Sequence, residues 1–305
     1  MLAVDRISAA AERAAPYVAR TPALDLGGGR RLKLECLQPT GSYKVRGFFA
    51  SALALPPEKL SRGLLTVSAG NAAQAAAYVA HTLGVGCRVV MFDTAPAAKL
   101  DGVRRWGATP VLLSRPELLA WIADRAWEGA PETFIHPFGD EELMAGYGGI
   151  GLELLEQVSD LERVFVPVGG GGLVSGIASA LKGARSSIEV VGVQSEGYPL
   201  WPRAIEAGGP VSLTPETIAD GTTAPFDPGM FVRVQELVDR WVLVSEVQLR
   251  AAVRELVAGT KIVPEGAGAL AYAGLKLDSA RSASVAIVSG GNIDPRLLCE
   301  ILTEG

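Results

Sequence analysis

Four consecutive glycines, Gly169–Gly172, stand between a β-branched run and an apolar, helix-forming segment in "VFVPVGGGGLVSGIASALK". A plain turn needs one or two glycines, because each loses conformational entropy on folding. Four in a row suggest main-chain N–H groups closing on an anion at a helix N-terminus. A second stretch, "LQPTGSYKVRGF", sets Lys44 between Tyr43 and Val45, with Thr40 and Ser42 close by and glycine on either side. A lysine flanked in this way is partly desolvated, which lowers its pKa and makes it a usable amine for Schiff-base chemistry. The plainer readings are a tight packing turn for the glycines and a solvated surface side chain for Lys44.

Two nucleotide readings of the glycines fail. A Walker A loop requires G-x-x-x-x-G-K-[ST], whereas Gly172 is followed by Leu173, Val174 and Ser175. A dinucleotide fingerprint G-x-G-x-x-G fits no register of the four glycines. It does match Gly146, Gly148 and Gly151 in "AGYGGIG". That match follows the helical stretch "DEELMA" rather than a strand, so the context the motif needs is missing. The glycine run therefore suits a single phosphate better than a pyrophosphate.

These residues need a frame that brings them together. "LDLGGGRRLKLECL" reads as two short strands about a glycine turn. From about Gly63 to Phe138 strands and helices alternate: "GLLTVSA", "NAAQAAAYVAHTLG", "CRVVMF", "PAAKLDGVRRWG", "TPVLL", "PELLAWIADRAWEG" and "TFIHPF". Such alternation predicts a parallel sheet with helices on its faces. A second series follows, with strands "RVFVPV", "EVVGVQ", "RWVLVS" and "ASVAIVSGG" and helices "GLELLEQV", "GLVSGIASALK", "EVQLRAAVRELVAGT" and "GAGALAYAGLKL". Two α/β units result, and the chain before the first is expected to join the second. Residues 1–50 plus 140–305 are taken as a large domain and 51–139 as a small one. Ligands of open α/β sheets gather outside the carboxyl ends of the strands. The turns after Val67, Val168 and Val288 sit at such ends.

Composition narrows the function classes. The chain has 305 residues, 49% of them hydrophobic, enough to bury a sizeable core. A net charge of −5 without a basic run argues against nucleic acid as a partner. Cys36, Cys87 and Cys299 are far apart and form no C-x-x-C, which argues for a reducing compartment and against a disulfide framework. His81 and His136 belong to no ligand pair, so no metal site is expected. "MLAVDRISAAAERAAPYVAR" is an amphipathic helix rather than a signal peptide, and no membrane span is expected, so the cytoplasm is the default location.

Five motifs occur in a fixed order: "TGSYKVRG", "SAGNAAQ", "GGGGL", "PEGAGA" and "SGGNID", with "IADGT" and "AGYGGIGLELLEQ" between them. In this order the chain resembles, over nearly its whole length, the threonine and serine dehydratases. These are pyridoxal-phosphate enzymes of the two-domain tryptophan-synthase-β-like fold (fold type II), to which serine racemase also belongs. The resemblance implies that Lys44 carries pyridoxal 5'-phosphate as a Schiff base and that Tyr43 packs on its ring. It implies that Gly169, Gly170, Gly171, Gly172 and Leu173 bind the phosphate through backbone N–H groups. Asn71 would bond the ring oxygen, Ser289 would face the pyridine nitrogen, and Gly221 would lie near the ring. Ser68, Ala69, Gly70 and Asn71 would take the substrate carboxylate.

The implied reaction is loss of water from a β-hydroxy amino acid such as L-threonine or L-serine, giving a 2-oxo acid and ammonia, with Lys44 as the base. A serine at the pyridine nitrogen cannot stabilise a protonated ring by charge, which makes the cofactor a milder electron sink. The resemblance also implies a homodimer and, since the chain ends at Gly305 soon after Ser289, no regulatory segment.

Three positions depart from relatives. Serine racemases have a serine acid/base where Ala69 stands, so racemisation is disfavoured. Carboxylates that bind a divalent cation in racemase-like members are replaced by Gln194 and Leu200. Many dehydratases read "GNHAQG" where this chain reads "GNAAQA"; the polar group lost at Ala72 either weakens binding of threonine or serine or makes room for a bulkier 3-hydroxy amino acid. The rival readings are a β-replacement or threonine synthase-like enzyme, and a non-catalytic ligand sensor. His136 is expected to be structural, and Glu265 either faces the cofactor edge or caps the helix after it.

Overall fold

The computed structural model describes residues 1–279 and 283–304. Among the described residues ten strands build two sheets. β1 (Ala23–Gly27), β2 (Arg30–Lys33), β7 (Arg163–Pro167), β8 (Glu189–Ser195), β9 (Arg240–Val244) and β10 (Ser284–Ile287) form the larger, in the order β1-β2-β10-β7-β8-β9. β3 (Leu64–Val67), β4 (Cys87–Phe92), β5 (Thr109–Leu113) and β6 (Thr133–Phe134) form the smaller, in the order β5-β4-β3-β6. Every pairing is parallel except the β1–β2 hairpin. The two N-terminal strands lie in the same sheet as β7–β10.

Thirteen α-helices are present among the described residues. They are α1 (Val4–Ala14), α2 (Lys44–Ala54), α3 (Pro57–Leu60), α4 (Asn71–Leu83), α5 (Ala97–Arg104), α6 (Arg115–Ala123) and α7 (Glu141–Gln157). After β7 come α8 (Gly172–Ala184), α9 (Leu200–Ala207), α10 (Pro228–Leu237), α11 (Glu246–Glu255), α12 (Gly266–Leu277) and α13 (Pro295–Thr303). None is long and apolar enough to cross a membrane.

Parallel strands buried on both faces read as continuous apolar runs, and "VFVPV" in β7 is such a run. Val164 pairs with Val190 on one side and Val285 on the other, so β7 is central. One face of the large sheet buries Val164, Val166 and Ile287 beneath α7 and α8. The other buries Phe165, Val191 and Ala286 beneath α11 and α12.

The glycines of "AGYGGIG" lie inside α7 and have a packing role. A Cβ at Gly148 would stand 2.6 Å from Cγ2 of Ile7 on α1, and one at Gly151 would stand 2.8 Å from Cβ of Ala180 on α8. A Cβ at Gly176 of α8 would run into the Met144 carbonyl. Bare backbone is what lets α1, α7 and α8 approach this closely, and the dinucleotide fingerprint is coincidental.

Local expectations differ from the structure in two places. "TFIHPF" is strand only over Thr133–Phe134. Beyond it the Nδ1 of His136 accepts the N–H of Gly139 at 2.8 Å and folds the chain into a turn. The helix after Ser245 ends at Glu255 and continues as a π-helical turn over Leu256–Thr260. The segment around Lys44, to which the sequence reading gave no element, is the first turn of helix α2.

Candidate active site

The carboxyl ends of β3, β7 and β10 open on one cavity of about 810 Å³. Its walls come from both sheets: the turn after β3 and the start of α4 on one side, the glycine loop and the turn after β10 on the other. Every site residue named from the sequence lines it.

The glycine loop joins β7 to α8. Gly171 is the N-cap of α8, with φ of +90° and no side-chain cap. Ser175 N is the first to bond within the helix, to Gly171 O at 3.0 Å. The amides of Gly172, Leu173 and Val174 have no intrahelical acceptor, as at any helix start, and they carry the positive end of a 13-residue helix dipole. Each glycine is also demanded by its surroundings. A Cβ at Gly169 would lie 2.9 Å from the Thr222 Cα, one at Gly170 2.5 Å from the Phe138 ring, and one at Gly171 2.8 Å from Val234. At Gly172 it would meet the Phe138 carbonyl. The Trp201 indole N–H donates to Gly169 O at 2.6 Å, which anchors the loop from behind. The result is an uncapped cradle of N–H groups.

Lys44 opens α2. The backbone before it is stitched to the turn after β10: Tyr43 N donates to Ser289 O at 3.0 Å and Gly291 N to Gly41 O at 2.9 Å. Lys44 and Ser289 are thus brought together by main chain. Lys44 Nζ donates to Pro137 O at 2.9 Å and lies 5.2 Å from the centroid of the Tyr43 ring. Tyr43 meets Tyr147 edge-on at 4.7 Å. Burial lowers the Lys44 pKa to about 8, against the opposing pull of Glu265.

The opposite side of the first turn of α2 is pinned by a buried ionic cluster. Arg46 donates to Glu35 Oε2 at 2.7 Å and to Glu153 Oε1 at 2.8 Å. Glu35 also accepts from Thr21 Oγ1 at 2.6 Å, and Lys33 pairs with Glu153. Burial alone would raise the Glu35 pKa, but Arg46 holds it below the ordinary carboxylate range.

On the far wall, Gly70 caps α4 without a side-chain bond, and Ser68 Oγ accepts Gly70 N at 3.1 Å. Ala72 is buried in this wall. Asn71 Nδ2 donates to Glu265 Oε1 at 2.6 Å. Ser289 is buried, with its hydroxyl donating to Ala267 O at 3.3 Å. Gly221 faces Ala267, where a Cβ would come within 3.1 Å. At the mouth Lys99 Nζ bonds Asp220 Oδ2 at 3.1 Å. Among the described residues no group of His, Cys, Asp and Glu could hold a metal ion.

Of the two places the sequence left open for Glu265, the side chain takes the cavity wall and makes no cap bond to α12, whereas Phe138 was not assigned from the sequence. Glu265 is buried, and burial with the nearby Asp220 charge raises its pKa to about 7. Phe138 backs the glycine loop. An acid directly before the small-residue helix "GAGA" was the available signal for Glu265; nothing local marks Phe138.

A model of a family described as pyridoxal-phosphate dependent enzymes matches residues 13–290. The L-threonine ammonia-lyase of Thermotoga maritima is 38% identical over 291 residues, covering 92% of this chain and 71% of that one. The L-threonine ammonia-lyase of Geobacter sulfurreducens is 37% identical over 280 residues, covering 90% of this chain and 69% of that one. Maize serine racemase superposes with a TM-score of 0.91 at 32% identity, covering 98% of this chain and 96% of that one.

Proposed function

Because the chain belongs to the family of pyridoxal-phosphate-dependent enzymes, we propose that it is an ammonia-lyase that eliminates water from L-threonine or L-serine to give a 2-oxo acid and ammonia. The observation that carries this reading is that one cavity holds both an uncapped glycine cradle and a lysine amine with its pKa lowered to about 8.

The residues present fit the cofactor. Only glycine fits at 169–172, where a Cβ would run into Thr222, Phe138 or Val234, and the loop's uncapped amides suit a phosphate. Lys44 would hold the cofactor covalently, Tyr43 would pack on the ring, and Asn71 would bond the ring oxygen. Ser289 would face the ring nitrogen, and Gly221 leaves room at the ring edge. When bound, the cofactor supplies the electron sink that makes the substrate α-proton acidic and the β-hydroxyl expellable.

The chain's own groups do the rest. The first amides of α4 and the Ser68–Asn71 turn would receive the substrate carboxylate, favoured by the helix dipole. Lys44 Nζ would take the α-proton as the general base, and a lowered pKa keeps a useful fraction neutral near physiological pH. Tyr43 and Tyr147 shield that amine from bulk water. Ala69 has no proton to give, so the face opposite Lys44 lacks the acid that racemisation would need.

A bulkier 3-hydroxy amino acid is the second reading, favoured by Ala72 in the substrate-side wall. The proposal also includes a homodimer, a cytoplasmic location, and two domains with residues 51–139 forming the smaller.

The test is the visible spectrum of the purified protein before and after L-threonine, with 2-oxobutyrate assayed in parallel. A band that shifts while 2-oxobutyrate accumulates supports the reading. An unmoved band with no product transfers it to bulkier substrates. Lys44→Ala should abolish the band and lower turnover by at least about 10³-fold. A ligand sensor that binds the cofactor noncovalently would change little.

A further inference from the structure

Glu265 is the one buried acid in the cavity wall to which the reading above gives no task. It directly precedes α12, and its own N–H donates to Gly290 O at 3.0 Å. Its Oε1 accepts from Asn71 Nδ2 at 2.6 Å. Asn71 Oδ1 accepts in turn from Asn292 Nδ2 at 2.7 Å, and that nitrogen also donates to Thr40 O at 2.8 Å.

The direction of this relay follows from its two ends. A backbone carbonyl only accepts, so Asn292 must turn its amino group towards Thr40. The second hydrogen of that group then meets Asn71 and holds the Asn71 oxygen on the Asn292 side. Asn71 Nδ2 is left facing Glu265, and an ionised carboxylate also only accepts. The flipped carboxamide would set amino group against amino group at one end and oxygen against carboxylate at the other. Both ends therefore select the same orientation. One hydrogen of Asn71 Nδ2 remains for the cavity.

We infer that Glu265 is a positioning residue that, by accepting from Asn71, keeps the N–H side of that carboxamide turned into the cavity as the donor to the ring oxygen of the cofactor. The inference rests on the pyridoxal-phosphate reading.

The relay also ties the two sheets together at this point, since Asn71 follows β3 of the smaller sheet while Asn292 follows β10 of the larger and Glu265 precedes α12, which packs on it. Protonation of Glu265 would let it donate as well as accept, and the orientation would no longer be enforced from that end. Burial and Asp220 push its pKa up to about 7, while the Asn71 bond, the Asn292 backbone N–H and Lys99 oppose them. Lys44, Tyr43 and Cys36 also feel its charge.

The experiment is a pH titration of the visible absorbance of the holoenzyme, together with the cofactor dissociation constant, for the wild type, Glu265→Gln and Asn292→Ala. The wild type should show a spectral transition centred near 7. Glu265→Gln keeps an acceptor oxygen but cannot ionise, so its transition should vanish while affinity changes little. Asn292→Ala frees Asn71 from the other end and should weaken cofactor binding by about fivefold, the effect of one neutral hydrogen bond. A Glu265→Gln enzyme that titrates like the wild type overturns the inference. Should that variant not fold, Asn292→Ala decides: weakened binding supports the relay, and unchanged binding overturns it. A wild type that shows no visible band when supplied with pyridoxal phosphate overturns the functional reading and this inference with it; a wild-type band with indifferent variants overturns the inference alone.

Discussion

The phenyl ring of Phe138 occupies the volume that a side chain at Gly170 would need: a Cβ there would lie 2.5 Å from the ring. Phe138 comes from the turn after β6, so the smaller sheet's chain shapes the glycine loop of the larger. Gly170→Ala should therefore displace the loop. Overpacking of this kind costs about 1–3 kcal/mol, or roughly 5- to 150-fold in cofactor affinity. Equilibrium titration with pyridoxal phosphate measures it, and an unchanged affinity would show that the loop does not hold the phosphate.

The lowered pKa of Lys44 predicts how loading depends on pH. Only the neutral amine attacks a carbonyl, so cofactor uptake by the apoprotein should quicken as pH rises and level off above about 8. An ordinary lysine, titrating at about 10.4, would still be accelerating well beyond that point. Stopped-flow absorbance at saturating cofactor distinguishes the two profiles.

The cluster behind α2 should be costly to break. Arg46→Met leaves Glu35 buried without its main partner, and removing one member of a buried pair typically costs about 3–5 kcal/mol. Urea unfolding of the apoprotein gives the value. Adding Glu35→Gln should recover part of the loss, since it removes the stranded charge. A neutral outcome for Arg46→Met would mean that water reaches the site.

Ala72 lines the cavity wall that the proposed function assigns to the substrate. Ala72→His should lower kcat/KM for bulky 3-hydroxy amino acids relative to threonine by about tenfold or more, a steric discrimination of ordinary size for a closed pocket. Equal effects on both substrates would place residue 72 out of reach of the substrate side chain.

Much of the site was legible in the sequence because its chemistry is local. A glycine run speaks for close approach to backbone wherever it occurs, and a lysine beside tyrosine and valine speaks for a shielded amine. The strand ends at Val67, Val168 and Val288 followed from hydrophobic runs that stop at turns; parallel topology puts the last two at one edge of the larger sheet, and the packing of the two sheets brings the end of β3 to face them. The order of five motifs named the family. The helical start at Lys44 was not legible, because glycine on either side masks the pattern.

What only the tertiary structure decided depends on residues far apart in the chain. Arg46 meets Glu153, and Asn71 meets Glu265, in contacts that no window of sequence contains. The raised pKa of Glu265 comes from burial and from the Asp220 charge, neither of which a sequence displays. The glycines of α7 show the difference most directly. Their spacing copies a nucleotide motif, and only the closeness of Ile7 and Ala180 reveals that they make room for neighbouring helices. Backbone preference and residue chemistry are properties of short segments; desolvation, charge proximity and the space for a Cβ belong to the packed chain.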